Sequence, residues 1–283
     1  MCAAPRYNNL HERLLFNWIG KDIEHDYENA KISEEAYSQK YLQHLKDSLS
    51  DGLWLTEDES ELLKGYKPEY PVPMVCFTEL ALKECIAHAT RYGKMGLAFT
   101  KRFVLDNGGQ PVAYIRDRRK SPFVSNLKLL LNGKLKKSER ERLELMACYI
   151  KNMEKSSRTT GAHAKKLTQK SVKKAAKKTA RKRIVDPYKR QTGRTLHHLE
   201  EAEWRMVAQQ GSLPKKTRLV QNTEGSGPSY FLPYKSGIEL VAIIFPNNKI
   251  FSRAMKDPQI VSSLFPGERP PVNLISLEDV PRL

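Results

Sequence analysis

Long apolar runs and cysteine are scarce in this chain. No stretch approaches the roughly 18 consecutive apolar residues of a membrane-spanning helix, and residues 1–6 do not begin a signal-peptide core. Only four cysteines occur in 283 residues, and no two of them form a Cys-x-x-Cys pair. This spacing argues against a zinc ribbon and a disulfide scaffold. We therefore expect a cytoplasmic protein without membrane contact, in which the cysteines are reduced thiols: Cys2, Cys76, Cys85 and Cys148.

The motifs of the common nucleotide and metal sites are missing as well. The chain has no P-loop, no dinucleotide-binding fingerprint, no His-Glu-x-x-His and no nucleophile elbow. No metal site is predicted. A metal-dependent nuclease needs paired acids, and only Glu201 and Glu203 offer clustered carboxylates.

Positive charge is abundant and confined to one segment. Residues 155–190, here called the basic segment, hold fourteen Lys or Arg residues against one acid, Asp186. They contribute +13 to a chain total of +17, which leaves +4 for the other 247 residues. Such a cluster is typical of nucleic-acid binding, because contacts with phosphates release condensed counterions. A solvated linker and a basic face that neutralises an acidic partner protein are the alternatives.

The centre of the basic segment predicts contact with the nucleic-acid backbone. Residues 165–183 contain no Gly, Pro or aromatic residue, so they are either disordered or become helical when phosphates relieve the like-charge repulsion. The absence of large apolar side chains disfavours a membrane-surface helix. The absence of aromatics disfavours base stacking and does not distinguish DNA from RNA. The expected contact residues are Lys165, Lys166, Lys170, Lys173, Lys174, Lys177, Lys178, Arg181, Lys182 and Arg183.

Apolar periodicity and capping residues predict the helices. Gly52 is placed to end the second helix, and Ser138 with Glu141 has the spacing of a capping box for the fourth. The predicted helices cover residues 10–19, 37–49, 80–92, 138–154 and 257–264.

Short apolar runs bounded by turn residues predict the strands. The turn sequence at residues 106–109 predicts a hairpin between the second and third strands. Residues 212–233 are predicted to form a loop. The predicted strands cover residues 74–78, 96–101, 111–115 and 238–246.

Short strands among helices, without a regular βαβ rhythm, predict an α+β fold with a mixed sheet flanked by helices. The basic segment interrupts this core as a helical or disordered insertion, so its ends should lie close in space. We expect residues 1–154 to form the first part of the core, residues 155–190 the insertion and residues 191–283 the second part.

A first group of polar residues lies within residues 73–101. His88 and Tyr92 are four residues apart and share one face of the predicted helix. Acid–base chemistry is one interpretation of this pair. The other is that both side chains attach the helix to the sheet through buried hydrogen bonds.

A second group is Glu201-Ala-Glu-Trp-Arg205. In a strand, Glu201, Glu203 and Arg205 point to one face while Trp204 packs on the other. Three charged groups on one face form either a polar site or a solvated edge. An arginine paired internally with a glutamate is the structural alternative.

These motifs resemble the AbiGi-type abortive-infection family of bacterial phage resistance. The resemblance rests on Pro73-Met-Val-Cys-Phe-Thr-Glu79, then His-x-x-x-Tyr-Gly-x-x-Gly-Leu-x-Phe-x-Lys from residue 88, Pro-Val-x-Tyr-Ile from residue 111 and Glu-x-Glu-Trp-Arg from residue 201. It covers roughly residues 14–116 and 196–250 and leaves the basic segment outside. It implies a cytoplasmic defence protein, the antitoxin-like member of a two-gene system with a partner protein.

A remoter similarity is to the layout of ADP-ribosyltransferases, which has a His-bearing N-terminal strand, a strand that ends in Ser or Thr and a late Glu-x-Glu. That similarity implies NAD as cofactor, with Glu203 orienting the ribose or the attacking nucleophile and Thr78 in the middle motif. Asn17 stands where that layout has a His or Arg that contacts the cofactor. Asparagine can donate a hydrogen bond to a ribose but supplies no charge.

The sequence therefore predicts an antiphage protein that binds nucleic acid through the basic segment and acts as a regulator, sensor or antitoxin-like component with a partner. The alternative is an effector enzyme, either an ADP-ribosyltransferase that uses NAD or, as a second option, a nuclease. Convergence on one concave pocket would favour the enzyme; the residues concerned are Asn17, Thr78, His88, Tyr92 and Glu203.

Overall fold

The elements of the fold alternate irregularly between strand and helix along the chain. The computed structural model describes residues 14–57, 72–115, 120–152, 202–208, 218, 220–222, 229–265, 267 and 270–280. The strands are β1 (Leu14–Ile19), β2 (Leu53–Glu57), β3 (Pro73–Leu80), β4 (Met95–Phe99), β5 (Gln110–Pro111), β6 (Ala113–Ile115), β7 (Ile150–Asn152), β8 (Glu203–Val207), β9 (Val220–Asn222), β10 (Ser229–Leu232), β11 (Leu240–Phe245) and β12 (Asn273–Ser276). The helices are α1 (Lys21–Glu28), α2 (Glu34–Asp51), α3 (Cys85–Tyr92), α4 (Lys101–Asp106), α5 (Pro122–Asn132), α6 (Lys137–Cys148), α7 (Asn248–Ala254) and α8 (Pro258–Leu264).

Ten of these strands form one mixed sheet. Its path runs β12-β11-β4-β1-β3-β2-β10-β9, while β8 pairs with β3 and with β5. All of its ladders are antiparallel except that between β11 and β12. β6 and β7 form a separate parallel pair. The mixed sheet with its helices confirms the predicted α+β class.

Strands from both sides of the basic segment belong to this sheet. β8, which follows the segment in the chain, pairs with β3 over residues 74–78. β11 also follows the segment, and it pairs with β4, which precedes the segment. The basic segment itself lies outside the described residues, so its predicted state and the three-part division of the chain stay predictions.

One face of the sheet packs against the helices α1, α2, α7 and α8. These helices contribute Ile23, Tyr41, Leu45, Ile250 and Ile260 to the main apolar core. The opposite face carries two smaller apolar clusters. Among the described helices, none is both long and apolar enough to cross a membrane.

The helices α5 and α6 have a small core of their own. It is formed by Val124, Leu127, Leu131, Ala147 and Ile150. The β6–β7 pair joins both ends of this helical hairpin. Residues 120–152 are therefore treated below as one unit, the α5–α6 module.

Several predicted elements are confirmed. The second helix is α2, and Gly52 ends it with a φ of 104°. The strands predicted at residues 74–78 and 238–246 are β3 and β11. The terminal helix is α8, and its N-cap Asp257 accepts hydrogen bonds from two backbone N–H groups.

The first predicted helix is wrong, because residues 14–19 form the strand β1. β1 lies between β3 and β4, and its consecutive residues Leu15 and Phe16 are buried in clusters on opposite faces of the sheet. A central strand buried on both faces gives a continuous apolar run, which periodicity alone does not distinguish from a helix. Strand pairing therefore decides the structure here.

The predicted hairpin around residues 106–109 is also wrong. β4 ends at Phe99, and the Thr100 hydroxyl accepts a hydrogen bond from the Phe103 backbone N–H (3.3 Å), which caps α4. The strand predicted at residues 111–115 is divided between β5 and β6, which pair with β8 and β7 and not with β4. A Thr N-cap before an apolar turn was the signal for this helix.

The predicted helix over residues 138–154 is too long. α6 ends at Cys148, since the next residues leave it to pair with β6 as β7. Its capping pair is also displaced. The Glu139 carboxylate accepts from the Lys136 backbone N–H (3.0 Å), in place of the predicted pair of Ser138 and Glu141.

Three further boundaries differ from the predictions. α3 begins only at Cys85, because β3 continues to Leu80 as a buried strand. The loop predicted over residues 212–233 contains β9 and β10, which pair with each other, and β10 also pairs with β2. α5 was missed, although Ser121 before Pro122 is an N-terminal helix signal.

Candidate functional site

The strand β8 separates its charged residues from its apolar residues. Trp204 and Met206 belong to the main core. Glu203 and Arg205 alternate with them and point to the opposite face, where they are 6% and 5% exposed. The predicted orientation of these residues is confirmed. Glu201 lies outside the described residues.

Glu203 lies between two buried cations. Its Oε1 accepts a hydrogen bond from Arg205 Nε (2.6 Å), and its Oε2 accepts one from Lys151 Nζ (2.6 Å). The Lys151 side chain is also largely buried, at 11% exposure. Lys151, Glu203 and Arg205 are called the Glu203 triad below. The internal arginine–glutamate pairing that was the structural alternative is present, with a lysine added.

The electrostatics of the triad favour an ionised Glu203. Burial acts to raise the pKa of this carboxyl group, but the charges of Arg205 and Lys151 and their hydrogen bonds outweigh it and hold the pKa below its usual value. Each carboxylate oxygen is already engaged by a cation. The arrangement is that of a buried ion pair, and removal of the carboxylate would take away an acceptor that both cations use.

The triad attaches the α5–α6 module to the sheet. Arg205 Nη1 donates to the carbonyl oxygen of Cys148 at the end of α6 (2.5 Å), and Lys151 belongs to β7. The Glu203 backbone N–H donates to the Tyr114 hydroxyl (3.2 Å) on β6. The Glu203 carbonyl oxygen accepts from the Val112 backbone N–H (2.8 Å). Glu203 thus joins β8 to several neighbouring segments.

Two of the candidate catalytic residues lie side by side. Thr78 and Glu203 are directly opposed across the β3–β8 ladder, so their side chains share one face of the sheet. Thr78 is buried, at 7% exposure.

Asn17 lies on the opposite face of the sheet. It alternates in phase with Leu15, a member of the main core, whereas Phe16 belongs to the cluster on the face of Thr78. Asn17 Nδ2 donates to the carbonyl oxygen of Cys76 (3.0 Å). The β1–β3 ladder ends at the Phe16–Thr78 pair. Beyond this pair, the Asn17 side-chain amide supplies a hydrogen bond between the two strands.

His88 and Tyr92 share one face of α3, as predicted. Their ring centroids are 6.0 Å apart with the planes inclined at 22°. His88 is buried, and Lys21 Nζ lies 6.0 Å from the centroid of the Tyr92 ring. The structure therefore groups Thr78 with Glu203 and His88 with Tyr92. The single pocket shared by all five candidates is not formed, because Asn17 points away from Thr78 and Glu203.

A second buried carboxylate was not singled out from the sequence. Glu24 Oε1 accepts hydrogen bonds from the hydroxyls of Tyr37 (2.5 Å) and Tyr41 (2.8 Å), and its Oε2 forms an ion pair with Lys94 Nζ (2.5 Å). Burial raises the pKa of both tyrosines, so both hydroxyls stay protonated and donate. The four-residue spacing of the tyrosines on α2 was the available signal.

Gly20 allows this second carboxylate cluster to form. It has a φ of 93°, and a Cβ at this position would lie 2.3 Å from the Tyr41 ring. We expect Gly20→Ala to lower the free energy of unfolding by about 1–3 kcal/mol, from backbone strain and displacement of Tyr41. Urea denaturation measures it. Gly267→Ala is the matched control, because its φ is also positive (71°) but nothing lies within 4 Å. An equal loss in both variants would contradict a role for the Tyr41 contact.

A groove of about 410 Å³ lies between α4 and the segment before β11. Its charges are paired internally: Arg218 Nη2 contacts Glu239 Oε2 (2.8 Å), and Arg102 Nε contacts Asp106 Oδ2 (2.7 Å). Among the described candidate residues, none lines this groove. Paired charges of equal number give it no strong preference for an anion or a cation.

The described ranges contain no cluster of side chains that could serve as metal ligands. Among these residues, no three His, Cys, Asp or Glu side chains lie close enough together to hold a metal ion. Cys76 and Cys148 are present as thiols. The ten predicted nucleic-acid contacts at residues 165–183 lie outside the described part, so they stay predictions.

Comparison with known proteins gives a family match. Residues 55–227 match the family described as "Putative abortive phage resistance protein AbiGi, antitoxin". A protein of Lactococcus lactis subsp. cremoris, "Abortive phage resistance protein AbiGi", is 40% identical over 52 residues, which cover 17% of this chain and 21% of that relative. This match thus spans about a fifth of the relative's length. No solved structure matches the chain.

The family match differs in extent from the resemblance read off the motifs. It starts later, at residue 55, ends earlier, at residue 227, and its range includes the positions of the basic segment. The expectation that the basic segment lies outside the family resemblance is therefore wrong, because the matched residues 55–227 include residues 155–190. The matched range covers more than half of the chain, and the chain belongs to the AbiGi family of abortive phage resistance proteins.

Proposed function

We propose that this chain is an antitoxin-like binding protein of an antiphage system, which contacts nucleic acid through the basic segment and acts with a partner protein. The observation that carries the nucleic-acid part is the charge of +13 within residues 155–190, against +4 in the rest of the chain. Phosphates neutralise such a segment, and the release of condensed counterions makes the binding free energy strongly favourable. The partner rests on the family description as an antitoxin.

The geometry around Glu203 supports a binding role over an enzymatic one. A catalytic carboxylate must reach the substrate with an oxygen that accepts a proton or orients a nucleophile. Both oxygens of Glu203 instead accept hydrogen bonds from buried cations, and Asn17 lies on the other face of the sheet. A carboxylate in this position is better suited to holding the module than to cleaving NAD.

The test is purification of the full chain at low salt, followed by two assays on the same sample. Nucleic acid should co-purify, disappear after nuclease treatment and be released by high salt. NAD should not be consumed. A chain that elutes free of nucleic acid and binds none when it is added would overturn the nucleic-acid proposal. Consumption of NAD by the pure chain would establish the enzymatic alternative.

A further inference from the structure

The helix α5 is apolar on two sides, but only one of them is covered. Val124, Leu127 and Leu131 pack in the small core with α6. On the other side Phe123, Leu129 and Leu130 are 43%, 70% and 51% exposed. Leu129 is the most exposed large apolar side chain in the described part of the chain. Single exposed apolar residues are ordinary, but a group of them on one helix indicates an interaction site.

The exposed residues form a continuous strip. Successive helix positions turn by about 100°, so the exposed apolar positions of α5 fall within an arc of about 120°, and the exposed polar residues Ser125 and Asn132 lie beside that arc. This strip is called the α5 face below. The positions on the strip are Pro122, Phe123, Asn126, Leu129 and Leu130.

Positive charge surrounds the α5 face. The α5–α6 module has eight Lys or Arg residues and three Glu, a charge of +5. The basic segment carries +13 of the chain's +17, so the residues outside both the basic segment and the α5–α6 module together carry −1. Three exposed lysines lie in the turn that follows α5 or at the first residue of α6: Lys134, Lys136 and Lys137. The module is thus a second basic region, and it combines charge with exposed apolar area.

This combination selects among the possible occupants. A second copy of the module would bring two surfaces of +5 together, which repel each other. A nucleic-acid backbone would satisfy the lysines but would leave Phe123, Leu129 and Leu130 without apolar contact. A protein segment with an apolar centre and an acidic rim satisfies both parts of the surface.

We propose that the α5 face docks an acidic amphipathic helix of the partner protein. This inference rests on the proposed antitoxin-like role, and it adds the place and the chemistry of the partner contact. Leu129 and Leu130 supply the apolar contact, while the lysines of the turn attract the acidic rim and speed the encounter. The other end of the module is fixed to the sheet by the Glu203 triad, so the face is presented from a rigid base.

The test uses a defined probe and the full chain. The probe is a fluorescein-labelled amphipathic peptide with leucines at positions i, i+3, i+4 and i+7 and with alanines and a few spaced glutamates elsewhere, so that like-charge repulsion does not oppose the helix. A scrambled peptide of the same composition reports binding from charge alone, including any binding to the basic segment. We expect the ordered peptide to bind at least about tenfold more tightly than the scrambled one, a ratio set by apolar burial. Fluorescence anisotropy measures both.

Variants place the contact on the chain. Leu129→Ser combined with Leu130→Ser should remove the preference for the ordered peptide, because both leucines are exposed and their loss leaves the core intact. Ile238→Ser is the matched control, since Ile238 is 42% exposed and lies outside the module. Equal binding of the two peptides, or an unchanged preference in the double variant, overturns the proposal.

The remaining outcomes identify other occupants and separate this inference from the proposed function. Self-association of the wild type that is lost in the double variant would assign the α5 face to a second copy. Loss of duplex DNA binding in the double variant would assign it to nucleic acid. Both results overturn the docking proposal. If the wild type and the double variant bind nucleic acid equally well, the nucleic-acid part of the proposed function holds. This conclusion does not depend on the result with the peptide.

Discussion

Glu203→Ala is expected to lower the free energy of unfolding by roughly 3–5 kcal/mol, because Lys151 and Arg205 both lose the carboxylate that pairs with them in a buried site. All three side chains are nearly inaccessible to water, so solvent cannot take over the lost pairing. Arg205 also holds the end of α6 through the Cys148 carbonyl. The α5–α6 module should therefore loosen first. Urea denaturation and amide hydrogen exchange measure the two effects.

A surface pair provides the matched control. Glu34 pairs with Lys249 (2.7 Å), and both side chains are about half exposed or more. Glu34→Ala should leave the stability nearly unchanged, because water solvates both partners and screens their attraction. Replacement of the whole triad by Met, Leu and Met at residues 151, 203 and 205 should recover much of the loss, since the carboxylate and both of its cations are removed together. A Glu203→Ala protein as stable as the wild type would contradict the structural role of the triad.

The same carboxylate predicts an acid-dependent part of the stability. The pKa of Glu203 is lower in the folded protein than in the unfolded chain, where it is about 4.3. Its stabilisation is therefore complete above that value and is lost as the pH falls through the lower folded pKa. Glu203→Gln lacks this contribution. The difference in unfolding free energy between wild type and Glu203→Gln should shrink on acidification, and a constant difference would contradict an ionised Glu203.

Neutralising the basic segment is expected to produce the largest change in binding. Glutamine at all ten predicted contact positions within residues 165–183 should lower affinity for duplex DNA or RNA by roughly 10³-fold or more at low salt, since each lost charge removes a phosphate contact and its counterion release. Anisotropy with a labelled duplex measures the loss. The unfolding curve should be unchanged, because the described core packs through β-strand pairing on both sides of the segment.

A charge-conserving variant is the control for this experiment. Arginine at every lysine among these ten positions keeps the charge and should keep most of the affinity. A glutamine variant that binds as tightly as the wild type would place the nucleic-acid contacts elsewhere on the chain. A glutamine variant that fails to fold would assign the segment a structural role.

Local sequence patterns predicted the elements whose apolar spacing and flanking residues indicate the same structure. β3, β4 and β11 are short apolar runs bounded by turn or polar residues, and α2 has both an apolar stripe and a terminal glycine. β1 was misread because its neighbours in the sheet bury both of its faces, which produces helix-like spacing. Pairing with strands distant in the chain overrides local periodicity there.

The Glu203 triad could be predicted only in part, for a related reason. Alternation along Glu203, Trp204 and Arg205 gave the correct faces. Lys151 was not included, because it is 52 residues away in sequence and fell within a helix predicted to continue past Cys148. Glu24 was missed in the same way, since its partners Tyr41 and Lys94 come from separate elements. Long-range ion pairs depend on the fold and leave little trace in local spacing.

The dependence of nucleic-acid affinity on salt concentration is the decisive measurement for binding through the basic segment. The full chain and a short duplex are titrated at several salt concentrations, and the logarithm of the binding constant is plotted against the logarithm of the salt concentration. We expect a steep negative slope, about −0.9 for each phosphate neutralised on duplex DNA, and a much shallower slope for the glutamine variant. A flat response of the wild-type chain would contradict nucleic-acid binding through the basic segment.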